Sequence, residues 1–299
     1  MDLWNDQLKL LLQSDFRSIG RIISLVENES IGYEKFMRML PASHTKIIGI
    51  TGAPGSGKSS ITDALIGEMI SDKQRVGVLC VDPSSPFNHG ALLGDRIRMS
   101  EWYNHPDVFI RSLASKGFLG GLHPKIFEIA EVLKAAAFDY IIIETVGVGQ
   151  SEVDIAALAD ITVVVLVPEA GDVIQTMKAG LMEIADIFVI NKYDRPDADM
   201  FFNNLAQMLA PVFNSEKEIP ILKTIAIQKE GIRELYQIIL ERNFATKPDH
   251  KLELVLQKIW SIVSAAKMKS IDPVKFREDV KNAMLAGNIN LYELAENYK

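Results

Sequence analysis

Gly52-Ala53-Pro54-Gly55-Ser56-Gly57-Lys58-Ser59 stands between the apolar run Ile47-Ile48-Gly49-Ile50 and an apolar-periodic stretch from Ile61 to Ile70. A strand, a glycine loop closing on Gly-Lys-Ser and a helix, in that order, are the parts of a phosphate-binding P-loop. Glycines let backbone N–H groups curl around phosphate oxygens, and the helix start adds the positive end of its dipole. The pattern assigns Gly52, Ala53, Pro54, Gly55, Ser56, Gly57, Lys58, Ser59 and Ser60 to a nucleoside triphosphate cradle. Lys58 would reach the β- and γ-phosphates, and the Ser59 hydroxyl would ligate Mg²⁺. A glycine-rich turn matching by chance would not carry the flanking strand and helix.

A second segment bears on the base. Ile187-Phe188-Val189-Ile190 reads as a buried strand with Asn191-Lys192-Tyr193-Asp194 at its carboxyl end. A carboxylate there accepts hydrogen bonds from both guanine N1–H and the 2-amino group, and adenine offers neither donor. Asp194 is therefore the expected specificity residue, Lys192 would pack its stem along the base, and Asn191 would tie this loop to the P-loop. Alone, such a string is more often a solvated turn; with a P-loop upstream it favours GTP over ATP.

Working outward, strand-like runs at 47–50, 76–81, 108–110, 140–143, 162–167, 187–190 and 219–224 alternate with helical ones. Near-continuous apolar strands separated by amphipathic helices predict an α/β fold, a mostly parallel sheet with helices on both faces. Ligands in such sheets gather at the carboxyl ends of strands. Asp82 and Glu144 stand there as candidate Mg²⁺ acids, and Gly147 could bring its N–H to the γ-phosphate. A helix cap is the alternative for Asp82, which precedes Pro83-Ser84-Ser85-Pro86. In the glycine-bearing segment 87–96, Asp95 is the candidate switch-loop metal contact.

Residues 1–42 read as an N-terminal helical extension with a break at 29–32, and 43–245 as the P-loop domain. In 246–299, Leu252, Val255, Leu256, Ile259, Ile262, Val263 and Ala266 form an apolar stripe at helical spacing. Asp272-Pro273 predicts the start of a further helix, and Asn290 with Glu293 a capping box for a last one.

The chain has 299 residues, 48% of them hydrophobic, and a formal charge of −7; the pI is near 5.4 and the mean hydropathy +0.11. The acidic balance argues against a nucleic-acid partner. No apolar run approaches the roughly 18 residues of a membrane span. Met1-Asp2-Leu3-Trp4-Asn5-Asp6 lacks the basic start of a secretory signal, so a cytoplasmic location is expected. A single cysteine, Cys80, excludes an internal disulfide and reads as buried filler. Five scattered histidines show no zinc spacing.

Taken together, the P-loop, Val81-Asp82-Pro83-Ser84-Ser85-Pro86, Leu93-Gly94-Asp95-Arg96, Glu144-Thr145-Val146-Gly147-Val148-Gly149-Gln150-Ser151-Glu152 and Asn191-Lys192-Tyr193-Asp194 resemble the methylmalonyl-CoA mutase-associated GTPases of the MeaB/ArgK type. The likeness runs from Arg21 to Asp186, and the string beginning at Glu144 is its most specific part. It implies a homodimeric GTPase using GTP/GDP and Mg²⁺, which gates cofactor delivery to an adenosylcobalamin-dependent acyl-CoA mutase and protects that enzyme. It also implies that Asp82, Asp95 and Glu144 organise the metal, that 171–178 is a switch touching the partner, and that the 246–299 region is a dimerising arm. The base-backing loop, usually Ser-Ala in this group, is Thr224-Ile225-Ala226 here, with the Ala226 N–H expected at guanine O6. A nickel-delivery metallochaperone is a second reading, opposed by the lack of a His-rich tract or Cys-x-x-Cys pair. A small-molecule or transport-component kinase is a third, without a second acid/base pair to support it. Val148 occupies the position where Ras-like GTPases place a water-orienting glutamine, so slow intrinsic turnover is expected, with Gln175 or Lys178 brought in when a partner orders 171–178.

Overall fold

The structure, a computed structural model, describes residues 3–82, 99–115, 122–147, 151–168, 181–209 and 219–242, and those of 252–298 other than 253–255, 257–258, 261, 265, 269–270 and 286–289. The chain divides into two compact units, Met1–Thr246 and Lys247–Lys299. In chain order the larger contains α1 (Leu3–Leu12), α2 (Phe16–Glu27), α3 (Tyr33–Met39), β1 (Lys46–Thr51), α4 (Lys58–Ser71), β2 (Val76–Asp82), β3 (Val108–Ala114), α5 (Ile126–Ala135), β4 (Tyr140–Glu144), α6 (Ser151–Leu158), β5 (Ile161–Leu166), α7 (Leu181–Ile184), β6 (Ile187–Ile190), α8 (Ala198–Leu209), β7 (Ile221–Lys223) and α9 (Ile232–Glu241). The seven strands form one sheet in the order β3-β2-β4-β1-β5-β6-β7, parallel at every pairing.

Why these runs become central strands follows from their two-sided burial. In β1, Ile48 and Ile50 join the cluster under α4 and α9, while Ile47 joins the cluster on the opposite face with α2 and α5. Gly49 interrupts the isoleucines because α6 lies directly on the strand there: a Cβ would stand 2.6 Å from Ile155 Cγ1 and 3.0 Å from Ala159 Cβ. A third cluster covers β5 and β6 with Phe201, Leu205 and Leu209 of α8.

Two edges depart from the expected spans. β3 continues through Arg111 and Ser112 to Ala114, beyond the apolar run at 108–110. It is an edge strand, and Arg111 Nη2 reaches Glu27 Oε2 (2.7 Å) and Ser24 Oγ (3.0 Å) of α2, so a polar residue is tolerated in mid-strand. β7, at the other edge, is three residues long. The N-terminal helices break at 13–15 as well as at 28–32, because Ser14 takes φ +58° and Asp15 Oδ2 caps α2 by accepting from the Ser18 N–H (2.8 Å). Their apolar faces, with Trp4, Leu11, Ile22 and Phe36, share one core with Phe109, Leu133 and Phe138.

In the smaller unit, α10 (Pro273–Leu285) starts where Asp272 Oδ1 accepts from the Val274 N–H (2.9 Å), and α11 (Leu291–Glu296) where Asn290 Oδ1 accepts from the Tyr292 N–H (3.1 Å). The Phe276 and Tyr298 rings meet edge-on at 4.9 Å, and the Tyr298 hydroxyl donates to Asp279. Leu252, Leu256, Ile259, Ile262 and Val263 of the expected stripe are exposed.

Candidate functional site

β1 occupies the middle of the sheet between β4 and β5, so the loop 52–57 leaves it where the strand order reverses, the position at which open α/β sheets form a crevice. The loop delivers the chain to Lys58 at the first turn of α4. Lys58 is almost fully buried, and its Nζ donates to the carbonyls of Gly52 (2.9 Å) and Ala53 (3.1 Å). Its ammonium is thus held inside the loop.

The two strand-end acids lie on the face of α4. Glu144 closes β4, is 4% exposed, and accepts from Ser59 Oγ at Oε1 (2.6 Å) and from Thr62 Oγ1 at Oε2 (3.1 Å). Thr62 Oγ1 also lies 3.0 Å from the Lys58 carbonyl. Asp82 closes β2 and is buried; alternation places it on the side of the sheet shared by Val78 and Cys80, and Cys80 stands in register with Glu144. Asp82 therefore sits one step beyond Glu144 on the same face. Cys80 itself is fully buried.

Beyond Glu144 the chain turns against the P-loop. The Thr145 N–H donates to the Ile50 carbonyl (3.0 Å), and the Thr145 and Thr51 hydroxyls meet at 2.9 Å. Gly147 then adopts φ +83°, and a Cβ on it would fall 2.3 Å from the Gly52 carbonyl oxygen and 2.6 Å from Lys58 Nζ. Only a residue without a side chain fits between those groups.

The base-side loop is stitched to the phosphate loop by Asn191. Its Nδ2 donates to the Ser56 carbonyl (2.9 Å), and its Oδ1 accepts from Thr224 Oγ1 (3.2 Å) and from the Ala226 N–H (3.1 Å). The tie expected between Asn191 and the P-loop is thus present in the geometry. The Ala226 N–H, the group expected at guanine O6, donates to Asn191 Oδ1 in this structure, where the turn 224–226 folds over the carboxamide. Lys192 takes φ +55° and Asp194 is exposed beside it. Asp95, Val148, Gln150, Gln175 and Lys178 lie outside the described residues. Among the described residues no group of three or more His, Cys, Asp or Glu is placed to hold a metal ion, and no helix is long and apolar enough to cross a membrane.

Over residues 19–264 the sequence matches the family described as Methylmalonyl Co-A mutase-associated GTPase MeaB. The chain belongs to the MeaB family. Among its relatives, a Pyrococcus horikoshii protein named as a GTPase is 39% identical over 306 residues, covering 98% of this chain and 96% of that protein. A fused isobutyryl-CoA mutase of Geobacillus kaustophilus is 36% identical over 239 residues, 75% of this chain and 22% of that longer protein. A crystal structure named LAO/AO transport system kinase superposes with a TM-score of 0.66 at 23% identity, covering 99% of this chain and 96% of that one, which is a likeness of fold. Membership of this GTPase family implies that the chain binds a guanine nucleotide.

Thr62, Thr145 and Thr224 were not among the expected site residues. Thr62 follows Ser59 by three positions, so both face one side of α4, and that spacing was the available signal. Thr145 and Thr224 act through contacts with residues far away in sequence, which no local pattern announces.

Proposed function

We propose that this chain hydrolyses GTP to GDP and phosphate in a magnesium-dependent reaction, and that it does so as a homodimeric chaperone gating adenosylcobalamin loading of an acyl-CoA mutase. On the nucleotide side the reading is supported by the way Asn191 joins the Ser56 carbonyl to the 224–226 turn, so that phosphate and base loops form one continuous wall. Lys58 would offset charge on the transferring phosphoryl group, and the Gly147 N–H, held against the loop, would donate to the γ-phosphate. The fit of Mg²⁺ rests on the Ser59 hydroxyl and the Glu144 carboxylate meeting at 2.6 Å in a buried position, with Asp82 beyond them. Ser59 would hold the ion directly, and Glu144, Asp82 and Asp95 largely through water. There it would neutralise charge on the β- and γ-oxygens.

On the partner side a single observation carries the proposal: a segment homologous to three quarters of this chain is built into a protein named as a fused isobutyryl-CoA mutase. The acyl substrate of the mutase is left open by this likeness. With Val148 unable to orient a water, isolated turnover falls below about 1 s⁻¹ and rises when the mutase orders 171–178. The test measures phosphate release from GTP with and without the cognate mutase, for the wild type and Lys178→Ala. Fast turnover by the isolated protein overturns partner gating; equal stimulation of both forms overturns a role for Lys178. A phosphorylated acceptor in place of free phosphate would instead establish a kinase.

A further inference from the structure

We propose that Tyr193, the residue between Lys192 and Asp194, is a positioning residue that holds the Asp194 carboxylate in the orientation needed to read the guanine 2-amino group. This rests on the guanine reading given above.

Tyr193 is fixed at both ends. Its N–H donates to the Thr224 carbonyl (3.1 Å), which ties the backbone to the turn carrying Ala226. Its phenol donates to Asp199 Oδ1 (2.5 Å) in the first turn of α8. The Lys223 ammonium, from the end of β7, stands 4.6 Å from the Tyr193 ring centroid, 4.5 Å from that of Phe202, and 3.4 Å from Asp199 Oδ1. One aromatic ring thus joins the base loop to β7 and to α8. In keeping with this, the Tyr193 phenol first and Lys223 second hold the Asp199 carboxyl below the usual carboxylate range.

The need for such a brace follows from the placement of Asp194. It is exposed, on a turn entered through the left-handed Lys192. Accepting two parallel hydrogen bonds from one base edge demands a carboxylate held within roughly 0.5 Å and 10–20°. A surface side chain on an untethered turn does not meet that demand. A ring anchored on the adjacent residue fixes the Cα of Asp194 and leaves the phosphate loop untouched. If the cluster only stapled β7 to α8, its loss would lower stability without altering which base is chosen.

The experiment compares dissociation constants for GDP, IDP and ADP, together with KM and kcat for GTP, in the wild type, Tyr193→Ala, Tyr193→Phe and Lys223→Met. IDP lacks only the 2-amino group, so the GDP/IDP ratio reports the second hydrogen bond to Asp194. The wild type is expected to favour GDP over IDP about tenfold, the worth of one charge-assisted hydrogen bond. Tyr193→Ala should bring that ratio below about threefold, with the loss falling more on KM than on kcat. Tyr193→Phe, which keeps the ring under Lys223 but loses the phenol bond to Asp199, should give a ratio between those of the wild type and Tyr193→Ala, and Lys223→Met should move it in the same direction as Tyr193→Ala. An unchanged ratio in Tyr193→Ala, or in Lys223→Met should the alanine variant not fold, overturns the proposal, as does a wild type that separates GDP from ADP but not from IDP. A wild type that binds GDP and ADP alike overturns the guanine reading itself.

Discussion

Gly57 has no room for a side chain: it adopts φ +92°, and a Cβ would stand 2.2 Å from Asn191 Nδ2. Gly57→Ala should therefore part the phosphate and base loops together, and calorimetry should show GDP binding weakened by at least about tenfold. Lys58→Ala should abolish GTP hydrolysis with circular dichroism near native, because its ammonium contacts loop carbonyls and not the apolar core. Asp194→Asn should exchange guanine for xanthine preference. The wild type should bind GDP at least about 100-fold more tightly than ADP, since two hydrogen bonds to a carboxylate are worth on the order of 3 kcal/mol. The types of these residues were legible because P-loop chemistry is local, each glycine and the lysine acting within eight consecutive positions. The acceptor of the Ala226 N–H was not legible, since it is decided by a residue 35 positions away.

The element that follows the undescribed segment 83–98 is a short 3₁₀ turn, Ser100–Trp102, seated on α4 by Met99 and Trp102, both buried. Trp102 Nε1 donates to Asp63 Oδ1 (2.8 Å), one residue beyond the Thr62 that contacts Glu144. Burial pushes the Asp63 carboxyl above its ordinary 3.8, against the lowering effect of the Trp102 hydrogen bond, with Glu101 also raising it and Lys229 lowering it. A carboxyl raised in the folded state binds its proton more tightly there than in the unfolded chain. Stability is accordingly lost as pH rises from 3.8 through the folded value. Asp63→Asn keeps an acceptor for Trp102 and removes the charge, so its Tm relative to wild type should be higher at pH 7 than at pH 4; the opposite order would refute the assignment. The contact of β1 with α6 is tested by Gly49→Ala, whose Cβ would overlap Ile155. Denaturant unfolding should show a loss of about 1–3 kcal/mol, the usual result of overpacking.

At the scale of the whole molecule, the unit 247–299 exposes Ile259, Trp260, Ile262 and Val263 close together in sequence. Exposed apolar side chains this close together in sequence call for a partner, and the proposed partner is a second copy of the chain. Light scattering should find a dimer for the wild type and a monomer for Ile259→Glu combined with Val263→Glu; a monomeric wild type would exclude the dimerising arm. The sequence by itself determined the class of fold, the phosphate loop, the base loop and the starts of α10 and α11. Each of these is written in contiguous residues, as a near-continuous apolar run, a helical period of 3.6, a short loop motif after a strand, or a cap beside the backbone groups it satisfies. Tertiary structure alone decided that β4 inserts between β2 and β1, that α1–α3 share a core with α5, and that Ser59 and Thr62 meet Glu144 more than eighty residues away. It also decided that Tyr193 is pinned between Asp199 and Lys223. These pairings are chosen by which buried surfaces and hydrogen-bonding groups complement one another once the sheet has formed, and such complementarity leaves no periodic trace along the chain.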